Sequence, residues 1–480
     1  MSYTNAMERE KEYDGVNWHE CANEWFKEDY IQSVLEAATY QAQDKHYVQS
    51  LIEKAATGVG LSHREAAVLM RVEDSELVEE MEHTAKSLKE KIYGKRVVLF
   101  APLYVSDYCV NGCEYCGYKH SNCELERKKL TMEELEREVK ALEELGHKRI
   151  ALELGEDPIN NPIEYVLECI DTIYKMKFKN GQIRRINVNI AATTIEDYKK
   201  LKEADIGTYI LFQETYHKPT YERVHPNGPK HNYSYHTSAF HRAMLGGIDD
   251  VGFGVLYGLY DYKYETIAML MHAEKLEEDM GVGPHTISVP RIRPAENVET
   301  SQYPGVDDKA FKHIITVLRL AVPYTGLIIS TREDGKLREE ALELGISQMS
   351  AGSCTAVGGY QTPHHKPQFE VEDHRTPQEV IKDLLQRGYI PSYCTACYRQ
   401  GRTGDRFMQF AKSGEIGSIC TPNALLTLNE YLNDYGDETL QQIGKKVIWE
   451  QLETMENETA RTKAKEWIKR IDAGERDFRF

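Results

Sequence analysis

The 480-residue sequence predicts an α/β fold: a TIM-type (β/α)8 barrel, with helices before it and a helical, cysteine-bearing domain after it. Three observations carry that reading. Eight short apolar runs alternate with helix-period segments through the middle of the chain. The stretch before them reads as helices alone. From about Glu370 the alternation stops and helical patterns take over. The resulting division is 1–94 for the N-terminal helical region, 95–369 for the barrel and 370–480 for the C-terminal domain.

In the first region Ser62 and Glu65 form a capping box (S-x-x-E) ahead of AAVLM, and Gly94 closes the stretch at KIYG. The apolar runs then follow in order: VVLFAP from Val97, RIALEL from Arg149, INVNI from Ile186 and TYILFQ from Thr208. They continue as DVGFGV from Asp250, TISVPR from Thr286, GLIIST from Gly326 and SQMSAG from Ser347. Helices fill the gaps. One starts at Thr131, where Glu134 completes a capping box. Its stripe is Leu135, Val139, Leu142 and Leu145, and Gly146 stops it. Such barrels carry chemistry at the C-terminal ends of their strands, so the loops that follow strands are where function is expected.

Composition narrows the function class. The 59 basic and 77 acidic residues give a net charge of −18, which argues against a phosphate-tracking nucleic-acid binder. With 41 % hydrophobic residues the chain can bury a core. No run approaches the length of a membrane span. The polar start MSYTNAMEREKEYDG lacks an apolar signal region, so a cytoplasmic location is expected. In that reducing setting, ten cysteines point to metal or catalysis rather than disulfides.

Directly after the first predicted strand stands SDYCVNGCEYCGYKH, with Cys109, Cys113 and Cys116 spaced C-x3-C-x2-C and Tyr115 before the third. One short loop can wrap three thiolates around a compact centre. Three ligands are one short of a closed zinc site or a fully ligated 4Fe–4S cluster. A cubane held this way leaves one iron open. The alternative is a zinc knuckle that borrows His120 or Cys123.

A second set lies in YCTACYRQGRTGDRFM and SIC: Cys394, Cys397 and Cys420, spaced C-x2-C-x22-C. Zinc with a borrowed histidine competes with a second open-iron cluster. Arg399, Arg402 and Arg406 could offset the charge of a thiolate-bound cluster or form a solvated face. Cys169 reads as helix packing. His285 immediately precedes a strand, so it belongs at the bottom of the barrel, the face a C-terminal domain could plug.

The first loop and its placement resemble the radical SAM (S-adenosylmethionine) superfamily, in which such cysteines hold a 4Fe–4S cluster that binds and reductively cleaves SAM. By that resemblance Cys109, Cys113 and Cys116 are the catalytic cluster ligands and Tyr115 packs near the adenine. Gly155 and Glu156 in LELGEDP match, in part, the edge that takes the SAM amine. Gly252 and Gly254 lie beside the adenine, although strand packing explains them equally well.

With the second cysteine set, LFQETYH, HTISVPRIRPA, ISTRE and SQMSAGSCTAVGGY, the chain is similar to the tyrosine-cleaving maturases of FeFe-hydrogenase from roughly Glu90 onward. The related 2-iminoacetate synthases of thiamine synthesis share the barrel and the tyrosine cleavage but lack the second set. The resemblance implies cleavage of L-tyrosine at Cα–Cβ to p-cresol and dehydroglycine. Dehydroglycine then becomes CO and cyanide at a second 4Fe–4S cluster on Cys394, Cys397 and Cys420. An additional iron there is bridged by free L-cysteine, with His285 as its protein ligand. It further implies a one-electron reductant, a hydrogenase-maturation GTPase and a radical SAM partner maturase.

For the tyrosine carboxylate, Arg293 and Arg332 are the expected cations, with Ser330, Gln213 and Glu214 on the same rim; ordinary rim ion pairs are the alternative. A passage through the barrel would join the two sites. A non-catalytic iron–sulfur scaffold is the competing class. It would not need a SAM-type loop after strand one.

Overall fold

The computed structural model describes residues 18–362, 365–413 and 416–480. The first 17 residues of the predicted N-terminal region lie outside them.

All eight predicted strands form: β1 (Arg96–Ser106), β2 (Arg149–Leu154), β3 (Arg185–Asn189), β4 (Tyr209–Ile210), β5 (Val251–Gly254), β6 (Thr286–Ser288), β7 (Gly326–Ile329) and β8 (Gln348–Ser350). Every neighbouring pair is parallel. Because β1 pairs with both β2 and β8, the sheet closes into a barrel. This is the TIM-type fold that the alternation predicts. Helices cover the outside, because each parallel strand must return through a crossover.

One element departs from the expectation. The C-terminal region is not helical throughout from residue 370: β9 (Ile390–Ser392) adds to the sheet beside the lower end of β1, pairing Arg96 with Ile390 and Val98 with Ser392. Its central Pro391 lacks an N–H, which is tolerated because β9 is an edge strand. This strand seats the C-terminal region on the N-terminal rim of the barrel. The helix Ile416–Tyr435, which carries Cys420, packs against β9 and the helix Glu458–Asp472.

Local signals formed as read. Ser62 and Glu65 make a reciprocal capping box on helix His63–Leu69, and Thr131 and Glu134 make another on Met132–Glu144. Gly94, with φ +60°, ends helix Ser75–Tyr93. Cys169 is buried in helix Ile163–Lys175, as packing requires.

Candidate functional site

A cavity of about 220 Å³ opens at the C-terminal ends of the strands. Cys109, Cys113 and Cys116 line it on the loop after β1. Backbone bonds from several directions fix that loop. Val110 N–H donates to the Glu156 carbonyl (2.8 Å), Glu114 N–H to Val224 (2.9 Å) and Gly117 N–H to Gln368 (3.0 Å). Asn111 stitches the loop further: its amide donates to Glu156 Oε2 (2.6 Å), and its Oδ1 accepts from Lys230 N–H (3.0 Å). Gly155 is needed here, since a Cβ would lie 2.4 Å from the Tyr108 carbonyl oxygen.

The donor set fits a cluster. Burial, and then the neighbouring Cys116, push Cys109 up to about 11; burial also holds Cys113 and Cys116 above the ordinary thiol range. Such thiols ionise when a cationic centre draws the protons off. Among the described residues, no three His, Cys, Asp or Glu side chains close around a single ion. Cubane cysteines each bind a different iron and need not converge on one point. His120 and Cys123, the residues a zinc knuckle would borrow, are exposed.

The other expected residues divide. Tyr115, Gly155 and Glu156 line the cavity, and Tyr115 OH pairs with His225 Nε2 (2.8 Å). Glu214, Arg293, Ser330 and Arg332 line it too. Gln213 does not: it is buried, with its amide donating to Thr237 Oγ1 (2.9 Å). Gly252 and Gly254 are taken up by strand packing. A Cβ on Gly254 would meet the Phe212 ring at 2.3 Å, and one on Gly252 would meet Thr286 Oγ1 at 2.7 Å.

Of the two arginines, Arg293 is already engaged by Glu333 (3.0 Å) and Glu372 (3.5 Å). Arg332 lies over the Phe369 ring at 3.3 Å and has no carboxylate within ion-pair distance among the described residues. Lys230, which no local pattern marked, lines the cavity and pairs with Glu214 at 2.7 Å. Glu214 takes the left-handed conformation, φ +67°, which turns its carboxylate to this partner.

A second cavity, about 40 Å³, lies at the opposite end of the same barrel. It is lined by Cys394, Cys397, His285, Arg96, Arg149 and Arg402, among others. The strands run from one cavity to the other: β1 gives Arg96 and Val98 to the lower and Phe100 and Tyr104 to the upper, and β8 gives Gln348 to the lower and Ser350 to the upper. The two cavities lie at opposite ends of the same strands.

Buried Cys420 faces the same cysteines: a hydrogen bond from Cys397 holds its thiol below the usual range, helped by Arg96 and Arg402. His285 stands beside Asp250, Nδ1 to Oδ1 3.6 Å, and edge-on to Phe407 at 4.5 Å. Burial lowers its pKa, so the ring is neutral and able to bind metal. Of the three arginines expected here, Arg402 lines the cavity, Arg399 is bound to Asp477 (2.5 Å) and Arg406 is exposed. Arg96 and Arg149 come instead from β1 and β2.

Residues 103–273 match the model of the Radical SAM superfamily, and 288–390 match the Biotin and Thiamin Synthesis associated domain. The 2-iminoacetate synthase of Salmonella typhimurium is 29 % identical over 343 residues, 71 % of this chain and 89 % of that protein. A crystal structure of HydG, a maturase of the FeFe-hydrogenase, is 60 % identical with a TM-score of 0.92, covering 95 % of this chain and all of that one. The chain belongs to the HydG family. A second HydG structure, from Carboxydothermus hydrogenoformans, is 39 % identical with a TM-score of 0.82, over 93 % of this chain and 99 % of the other. As a radical SAM enzyme of the HydG family, the chain takes SAM and a 4Fe–4S cluster as cofactors. Among the described residues, no helix is long and apolar enough to cross a membrane.

Proposed function

We propose that the chain cleaves L-tyrosine at the upper site and converts the glycine-derived fragment to CO and cyanide at the lower one. The products leave as an iron–CO–cyanide unit for FeFe-hydrogenase maturation. The observation that carries this reading is the placement of two three-cysteine sites at opposite ends of one barrel, the lower one with His285 beside it.

Cys109, Cys113 and Cys116 would hold the SAM-binding cluster, with Tyr115, Gly155 and Glu156 around the SAM. When bound, cluster and SAM supply, on reduction, the radical that removes a hydrogen atom from substrate. Arg332 would take the tyrosine carboxylate, since it faces the cavity without a carboxylate partner, and Ser330 adds a hydroxyl. Arg293 serves the rim through Glu333 instead. At the lower end Cys394, Cys397 and Cys420 would hold the second cluster, and His285 the iron bridged by free cysteine. Arg96, Arg149 and Arg402 supply positive charge to offset thiolates, cysteine carboxylate and cyanide. A one-electron reductant, a maturation GTPase and a radical SAM partner maturase complete the scheme.

The likeness to 2-iminoacetate synthase supports a second reading, in which dehydroglycine itself is the product. Anaerobic turnover of reconstituted protein with SAM, reductant, tyrosine and cysteine separates the two. p-Cresol with CO and cyanide is the expected outcome; p-cresol with glyoxylate alone selects the second reading. SAM left intact by protein that holds its clusters would overturn both and leave a non-catalytic iron–sulfur scaffold.

A further inference from the structure

The charged side chains of the upper cavity are unequally satisfied. Lys230 and Glu214 neutralise each other at 2.7 Å, Arg293 bonds to Glu333 at 3.0 Å, and Glu156 accepts from Asn111 at 2.6 Å. Two remain. Arg332 and Glu153 both line the cavity, and among the described residues neither has an opposite charge within ion-pair distance. Glu153 lies on β2 and Arg332 just after β7, and each feels the other's charge without ion-pair contact.

Parallel register fixes Glu153. It pairs with Tyr104 of β1 on one side and Asn189 of β3 on the other, so all three face the cavity on one rung. Tyr104 OH donates to Gln368 Oε1 (2.9 Å), whose amide reaches Cys116 Sγ at 3.6 Å. The rung is thereby joined to the cysteine loop.

We propose that Glu153 holds the α-ammonium group of the substrate amino acid, opposite Arg332 on its carboxylate. The inference rests on the tyrosine reading above and adds a residue that reading leaves unused. A carboxylate with no cation in ion-pair contact is costly in a confined cavity until one arrives. A zwitterion brings one charge for each of the two unpaired groups. Burial pushes Glu153 up to about 7, with Tyr104, Arg332 and Asn189 pulling the other way. An ammonium ion would bring it down and leave it ionised. SAM also carries an α-amino acid, so the test must separate the two ligands.

The anaerobic holoenzyme is titrated calorimetrically, with SAM present and no reductant, so that nothing turns over. The ligands are L-tyrosine, 3-(4-hydroxyphenyl)propionate, which lacks the amine, and tyramine, which lacks the carboxylate. Wild type is expected to bind each analogue about 10- to 100-fold more weakly than tyrosine. Glu153→Gln is expected to lose a similar factor for tyrosine and to stop discriminating against the propionate, while its penalty for tyramine, its iron content and its SAM affinity stay as in wild type. Undiminished discrimination in Glu153→Gln would overturn the assignment and leave the tyrosine reading standing. Lost SAM affinity with intact tyrosine binding would also overturn it, moving Glu153 to SAM. Equal binding of tyrosine and the propionate by wild type overturns it without any variant. Wild type that binds no tyrosine refutes the tyrosine reading itself, and this inference with it.

Discussion

Asp250 is fully buried on β5's approach, neither of its oxygens has a hydrogen-bond partner, and His285 Nδ1 lies 3.6 Å away. A carboxylate behind one imidazole nitrogen orients the other toward a metal. His285→Ala is therefore expected to lose the additional iron while both clusters remain, measured as iron content and by the electron paramagnetic resonance of each cluster. Retention of that iron would remove His285 as its ligand.

Glu153 offers a second test at this scale. Its carboxyl is raised from 4.5 to about 7 in the folded chain, by burial first. The stability it contributes is full below the unfolded value and is lost as pH rises through about 7. Glu153→Gln removes that dependence. Between about pH 4 and pH 8, the variant should gain about 1–3 kcal/mol on wild type, read by urea unfolding without substrate. Lys230, Arg332 and Glu153 show why residue roles were only partly legible. Arg332 stands near a predicted strand end, so the sequence nominated it. The Lys230–Glu214 pair depends on a positive φ and on how the helix Lys218–Val224 folds back, which no periodicity records. Gln213 was not legible either: it lies past the end of β4 beside the positive-φ Glu214, where strand alternation no longer says which side chain faces the cavity.

At the scale of elements, the β1 and β2 loops act as one unit. Gly155→Ala would put a methyl 2.4 Å from the Tyr108 carbonyl oxygen and 2.9 Å from Cys109 Cβ. The backbone there must shift, so this variant should assemble less of the first cluster while the second is unaffected, measured as iron per chain and SAM affinity. Thr131→Ala makes the contrast. It removes a cap that lines neither cavity and should cost about 1 kcal/mol of stability without changing the product ratio. The eight strands and both capping boxes were readable because apolar runs and caps are local signals. β9 was not: Ile390–Ser392 is three residues long with a proline inside, and only the free lower edge of β1 makes it a strand. Gly252 and Gly254 gave a correct strand, but a glycine marks a close approach without naming what approaches.

Across the whole molecule, the parallel barrel gives every strand two ends, and the chain uses both. The upper end follows the usual rule for such barrels. The lower end becomes a site because the C-terminal region docks there through β9 and brings three cysteines to His285, Arg96 and Arg149. Cysteine spacing made both sites visible in the sequence. The arginines were hidden, because strand residues at the bottom of a barrel read as ordinary amphipathic positions. The central claim is a division of labour between the ends. It is tested most directly by measuring p-cresol and CO from one anaerobic turnover of a Cys394→Ser/Cys397→Ser double variant whose first cluster is shown to be intact. The account predicts p-cresol at a rate near that of wild type and no CO. CO formed as in wild type would contradict it.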